Sequence, residues 1–337
     1  MSGIYQFLFT TLPPNTHHQL NALETAGNMF LIPLAHVGGA FSIKYKEGES
    51  SSWSRVKAVA LAIITSPLSV IGIILKGIGM ILPHKTIHAT DHTANIHLTS
   101  NQRIKEMYDQ VDIMQKVMIE NGFVENGIPK FFMVCGTALG AERHGGAIPW
   151  DDDVDMGTLD EEGFLKLKDK LKEAGLEMDE RVRFNSLYKF RFTREKFQEL
   201  YPDADYDSQA ELDIFIMAKM ADGSYAYDTK YARANWPTEY FAGEEIEGGF
   251  EMKEFGHIQL PGIKAPASYL KRSYGDTCLT HGIQTHAHHK FCGMVIPLPR
   301  CGTHYYEIQK YRQCALPEAA HPAYLDVPPP SAEYIAL

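Results

Sequence analysis

One stretch constrains this chain more than any other: Cys135–Gly157, C-G-T-A-L-G-A-E-R-H-G-G-A-I-P-W-D-D-D-V-D-M-G. Taken locally, the apolar run 131–135 reads as a buried strand entering a Gly136-Thr137 turn, with a short helix after it. A strand that meets a glycine and a hydroxyl at a helix start can offer amides and a hydroxyl to a phosphate. Pro149-Trp150 then fixes an extended approach to Asp151, Asp152, Asp153, Val154 and Asp155. Side chains alternate along a strand, so Asp153 and Asp155 share a face. Two carboxylates that close repel, and one pKa rises. A divalent cation between them removes the conflict, and a set of oxygen ligands suits Mg2+ or Mn2+.

A third acid belongs with them. After Glu211, the apolar strand Leu212–Met217 is broken only by Asp213, and an acid in such a run is costly without a partner. A metal at Asp153 and Asp155 gives it one. In Tyr188-Lys189-Phe190-Arg191 the alternation sets Lys189 and Arg191 on one face, where they could hold phosphate charge. A solvated acidic turn is the bland alternative. An EF-hand loop would use Asp151, Asp153, Asp155 and Glu162, but it needs glycine where Met156 stands. No G-K-[S/T] follows Gly136, so this is not a Walker A loop, and no G-x-S-x-G elbow occurs. Cys135 reads as the core-facing end of its strand.

The surroundings have the texture of a mixed α/β domain. Ile104, Met107, Tyr108, Val111, Met114, Val117 and Met118 recur at helical spacing over 102–120. Ser100 or Asn101 can cap that helix and Asn121-Gly122 can stop it. Thr158 to Glu161 reads as a capping box opening a helix with Phe164, Leu167 and Leu171 on one side, ended by Gly175. Strands are expected at 154–156, 187–192 and 212–217.

Charge divides the chain. The total is −10, yet residues 1–100 hold six Lys/Arg and four Asp/Glu, a surplus of +2. The acidic remainder argues against a protein that coats nucleic acid. Residues 25–43 and 58–75 are free of charge, and Pro67 should kink the second. Lys44, Lys46, Arg55 and Lys57 flank these stretches, so a helical hairpin or in-plane helix docking on a membrane through residues 25–83 is the preferred reading. A single span and a buried helix of a soluble fold are its rivals. The first Lys or Arg is Lys44, so no secretory signal is expected. Five cysteines without regular spacing suggest a reducing compartment.

The block G-T-A-L-G-A-x-R-H-x-G-x-I-P-W-D-D-D-V-D resembles the signature of the LicD/fukutin family of the nucleotidyltransferase-fold superfamily. The likeness extends over roughly 101–290 and includes the K-x-R and L-D-I-F strands and a late Y-L-K-R-S-Y-G-D at Tyr269–Asp276. It implies an α+β fold, a nucleotidyltransferase-like mixed sheet flanked by helices, here with an N-terminal apolar helical appendage. It further implies a metal-dependent transferase that moves a phospho-alcohol group, phosphocholine-like, from a CDP-activated donor to a hydroxyl of a glycan or other acceptor. On matching positions, Gly136 and Thr137 would form the phosphate turn. Asp153, Asp155 and Asp213 would be catalytic and metal-binding, and Arg143, Lys189 and Arg191 would bind donor phosphates. The roles of Asp151 and Asp152 stay open. Nucleotidyl transfer and a catalytically silent membrane-tethered module are the alternatives.

The expected organisation is a membrane-associating region and linker at 1–100, a catalytic domain at 101–315 and a Pro-rich tail at 316–337, with the catalytic part cytosolic. Prolines that family members often carry after Y-G-D are replaced by a cluster of Cys278, His281, His286, His288, His289, Cys292, Cys301 and His304. Two C-x-x-H pairs have zinc-compatible spacing. Their order matches no zinc finger, so surface or acceptor-site histidines are the preferred reading and structural Zn2+ the alternative.

Overall fold

The computed structural model describes residues 22–82, 99–148, 151–179, 186–275, 278–279, 281–284 and 304–307. The expected linker, apart from Thr99 and Ser100, and the Pro-rich tail lie outside the described residues. So do His286, His288, His289, Cys292 and Cys301 of the Cys/His cluster.

Among the described residues four helices come first: α1 (Ala22–Phe30), α2 (Ile32–Ser42), α3 (Ser51–Ile64) and α4 (Ser66–Ile81). Pro67 falls in the first turn of α4, where its missing amide costs nothing. The uncharged stretch therefore breaks at Thr65 into two helices bent by 75°. No single described helix is long and apolar enough to cross a membrane.

Helix α5 (Asn101–Glu120) follows the expected pattern. The Ser100 hydroxyl accepts from the Arg103 amide at 3.2 Å, and the seven periodic apolar residues are all buried. They cover a seven-stranded mixed sheet of α+β type, curled and flanked by helices. Its strands are β1 (Phe132–Met133), β2 (Asp153–Thr158), β3 (Leu176–Asp179), β4 (Leu187–Phe192), β5 (Glu211–Lys219), β6 (Tyr225–Tyr227) and β7 (Tyr240–Phe241). The order is β1-β2-β5-β4-β3, with β6 on the far half of β5 and β7 on β6. Only β2 and β5 run parallel. Val154, Met156, Leu212 and Ile214 point into the core beside Phe190 and Phe192, all nearly fully buried. The opposite face of the same strands is left for polar groups, as a period of two requires.

Three local expectations are corrected. The strand at 131–135 is only Phe132–Met133, and Cys135 opens helix α6 (Cys135–His144) with φ at +46° instead of ending the strand. The predicted capping box does not form. Thr158 closes β2, its hydroxyl donating to the Lys130 carbonyl, and Asp160 caps the helix by accepting from the Gly163 amide at 2.8 Å. A short polar side chain one residue before the helix reaches those amides better than one held in a strand. The helix itself is two pieces, α7 (Glu161–Leu165) and α8 (Lys168–Glu173), which still bury Phe164, Leu167 and Leu171.

Helix α9 (Arg194–Leu200) follows β4, and α10 (Lys230–Asn235) follows β6. Arg233 of α10 is 2% exposed. Its guanidinium donates to the carbonyls of Tyr227 and Asp228 at 2.7 Å and to the Lys44 carbonyl at 2.9 Å, and it pairs with Glu49. Lys44 binds Asp222 at 2.6 Å, Lys46 binds Asp228, and the Ala221 amide donates to the Tyr45 carbonyl. The loop between α2 and α3 is thus fastened to the edge of the sheet domain.

Candidate active site

The β2–β5 register sets Asp155 beside Asp213 and Asp153 beside Glu211. The antiparallel β5–β4 register sets Lys189 on the other flank of Asp213. One row across three strands therefore reads Asp155, Asp213, Lys189. Carboxylate oxygens of Asp153, Asp155 and Asp213 lie within 4.8 Å of one another, and Asp151, Asp152 and Asp153 form a second such group. The Lys189 ammonium is 3.3 Å from Asp213 and hydrogen-bonds Glu211.

Helix α6 holds this row from one side. The Gly136 amide donates to Asp155 Oδ2 at 3.2 Å, and the Thr137 hydroxyl accepts from the Asp155 amide at 2.7 Å. A side chain at 136 would put its Cβ 2.7 Å from Asp151 Oδ2, so only glycine lets that carboxylate lean over the turn. The Asp151 carbonyl accepts from the Thr99 hydroxyl at 2.5 Å. Arg103 pairs with Asp152 at 3.3 Å and donates to the Ser208 and Gln209 carbonyls. From α5, Glu106 accepts from the Ala210 amide and Gln110 donates to the Ala210 carbonyl, both at 2.8 Å, which fixes the start of β5.

The electrostatics are those of crowded acids. Burial raises the Asp155 carboxyl well above the usual range, and Asp153, Asp213 and Asp151 push it further. Asp151 is raised by burial, then by Asp153 and Asp152, and Asp153 by burial and Asp152. Burial pushes Asp213 up to about 7 against the opposing pull of Lys189. Lys189 is raised because Asp213 and Glu211 outweigh its own burial.

This donor set fits a hard divalent cation. It is all oxygen, its charges repel, and Asp213 Oδ1 is buried without a hydrogen bond of good geometry. Cys278 is buried and joins no candidate metal group among the described residues.

The proposed phosphate residues separate. Gly136, Thr137 and Lys189 adjoin the acids. Arg191 stands one step along β4, where it pairs with Glu177 at 3.2 Å over the Tyr206 ring. Arg143 is buried at the end of α6 and donates to the Cys278 carbonyl at 3.0 Å.

Sequence reasoning missed a second wall. The Tyr269 hydroxyl accepts from the Cys135 amide at 2.8 Å and donates to Glu239 at 2.6 Å, while Cys135 Sγ lies 3.2 Å from the Tyr227 hydroxyl. Burial, then Glu239 and Asp155, raises the Cys135 thiol, which disfavours its thiolate. Tyr269 opens the Y-L-K-R-S-Y-G-D motif and was findable there; Glu239 has no local signal.

The pattern of sheet, helix and acids can now be set beside known proteins. Residues 128–242 match the family model described as LicD/FKTN/FKRP, nucleotidyltransferase domain. The chain carries a LicD-type domain. That domain contains the whole sheet, α6 and all the acids of the row, and the family it matches is transferase-like. The matched residues are fewer than the 101–290 expected, since α5 and the Tyr269 motif fall outside them. An uncharacterized protein of Rickettsia typhi is 27% identical over 202 residues, 58% of this chain and 54% of its own length. One of Rickettsia prowazekii is 25% identical over 200 residues, 58% of this chain and 64% of its own. The chain spans less than two thirds of the length of either relative.

Proposed function

We propose that the protein transfers a phospho-alcohol group, phosphocholine-like, from a CDP-activated donor to a hydroxyl of a glycan or other acceptor. The observation that carries this reading is the row of Asp153, Asp155 and Asp213, with oxygens within 4.8 Å of one another, inside a LicD-type domain. These three carboxylates would hold Mg2+ or Mn2+, which when bound supplies charge neutralisation for the donor pyrophosphate and the departing CMP.

The chain's own groups do the rest. Gly136 and Thr137 fix Asp155 through an amide and a hydroxyl. Lys189, on the strand beside the acids, exchanges Glu211 for a donor phosphate oxygen, and Arg191 extends the same basic face. Asp213 takes the proton of the acceptor hydroxyl. Arg143 fixes the segment at Cys278 that follows the Tyr269 motif.

We expect Asp153→Asn and Asp155→Asn each to abolish turnover of a CDP-linked donor while the thermal melt stays cooperative. Activity retained in either variant overturns the assignment. The matched description favours one alternative, transfer of the nucleotide itself. Product mass separates the two, since a phospho-alcohol adduct and a nucleotide adduct differ.

A further inference from the structure

We infer that α3 and α4, with α1 packed on α4, form a wedge that inserts into one leaflet of a lipid bilayer and is strutted rigidly to the LicD-type domain. The inference stands apart from the catalytic reading.

Its first support is an inverted polarity. The residues α4 buries are Ser69, Gly72, Lys76 and Gly79, a narrow stripe of small and polar groups. They face α1, where Glu24, Gly27 and Asn28 are buried. The two backbones touch: a Cβ on Gly27 would lie 2.5 Å from the Lys76 amide nitrogen. Meanwhile Leu68, Val70, Ile71, Ile73, Ile74, Ile78 and Ile81 are exposed. Water drives the opposite arrangement, with aliphatic side chains inside. Hydrocarbon removes that drive, so small and polar residues take the helix contact and aliphatic ones face the solvent.

The second support is extent. Beyond residue 82, the only exposed large apolar residues among the described ones are Ile119, Leu159, Tyr231 and Tyr274. All others lie on 29–82, and α3 adds Val56, Val59, Leu61, Ile63 and Ile64. A protein partner covers one face of a helix. Here the apolar surface goes round everything except the contact stripe, which selects a fluid apolar medium.

The third is the boundary. Trp53 is 60% exposed with the Lys57 ammonium 5.4 Å from its ring, an aromatic and a cation where the wedge begins. Helix α4 has 16 residues, so it is ~24 Å long. The hydrocarbon layer is ~30 Å thick. With the 75° bend this gives a shallow insertion, entering and turning within one leaflet. Arg233 and its contacts to Lys44 and Glu49 carry the wedge at a fixed height relative to the acids.

The test floats the full chain with vesicles of phosphatidylcholine alone and of phosphatidylcholine with phosphatidylglycerol. The wild type is expected to float with both. Ile71→Glu/Ile74→Glu should float at least ten-fold less, because hydrocarbon expels a carboxylate. Val59→Glu/Ile63→Glu, on α3, gives the same result by a second route should the first variant melt early. Wild type that stays at the bottom with both vesicles overturns the wedge. So does flotation unchanged in both variants, or a wild-type dimer in light scattering that vesicles do not disperse. Loss of turnover in the Asp variants leaves this result untouched, so the two readings fail separately.

Discussion

Asp213 lies between an acid that repels it and an ammonium that attracts it, and its neighbours decide how stability answers to pH. Asp151, Asp153, Asp155 and Asp213 all have carboxyls raised above their unfolded values, burial being the first cause in each. The native state then binds protons that the unfolded chain has already released, so its stability is full below the ordinary carboxylate range and falls as pH rises. Protein stripped with EDTA should lose melting temperature as pH rises from about 4, where unfolded carboxyls ionise, through about 7, where Asp213 does. Mg2+ should restore it most at the upper end. A flat profile, or equal gains at both ends, would count against the metal. Lys189 is 26% exposed and offsets this charge in the absence of a cation. Lys189→Met should cost about 2–3 kcal/mol in urea unfolding at pH 8, less at pH 5, with part of the loss recovered by Mg2+.

Among the elements, α5 shows what a sequence can and cannot say. Its apolar face was legible because period and burial coincide in Ile104, Met107, Val111 and Met114. Its grip on β5 was not, since Glu106 and Gln110 look like ordinary surface residues and are 1% and 0% exposed. Glu106→Ala leaves the Ala210 amide without its acceptor, and a fall of about 2 kcal/mol is expected, read as a lower urea midpoint with unchanged slope. Other misses share a cause. Thr158 has the residue type of a cap and Cys135 ends an apolar run, but both sit where a strand passes into a helix, and only the tertiary fold fixes which residue turns. The acids were legible for a different reason. Alternation puts Asp153 and Asp155 on one face whatever the surroundings, and an acid inside the apolar run of Asp213 demands a partner. Arg143 followed from resemblance alone and Arg191 from strand alternation, and their contacts to Cys278 and Glu177 had no signal in the spacing.

For the molecule as a whole, the loop at 43–50 joins two bodies of opposite character, one apolar outside and one acidic. Arg233 makes that joint stiff. Its fork satisfies three carbonyls and a carboxylate at once, which a lysine cannot do. Arg233→Lys and Arg233→Ala should both cost about 3 kcal/mol. Both should also speed proteolysis within 43–50, while cleavage inside the sheet domain is unchanged. Resistance equal to wild type would mean that the loop is held by other contacts.

The Thr99 hydroxyl on the Asp151 carbonyl bears on how the gene should be cut. A fragment bounded by the matched residues 128–242 would begin after Thr99, Arg103 and Glu106 and stop before Tyr269. It would keep every acid yet lose the anchors of the loop that carries them and of Cys135. Such a piece would also lack α5, whose buried face covers the sheet, so it should be unstable as well as slack at its ligands. A negative assay on it would report the trimming and not the chemistry.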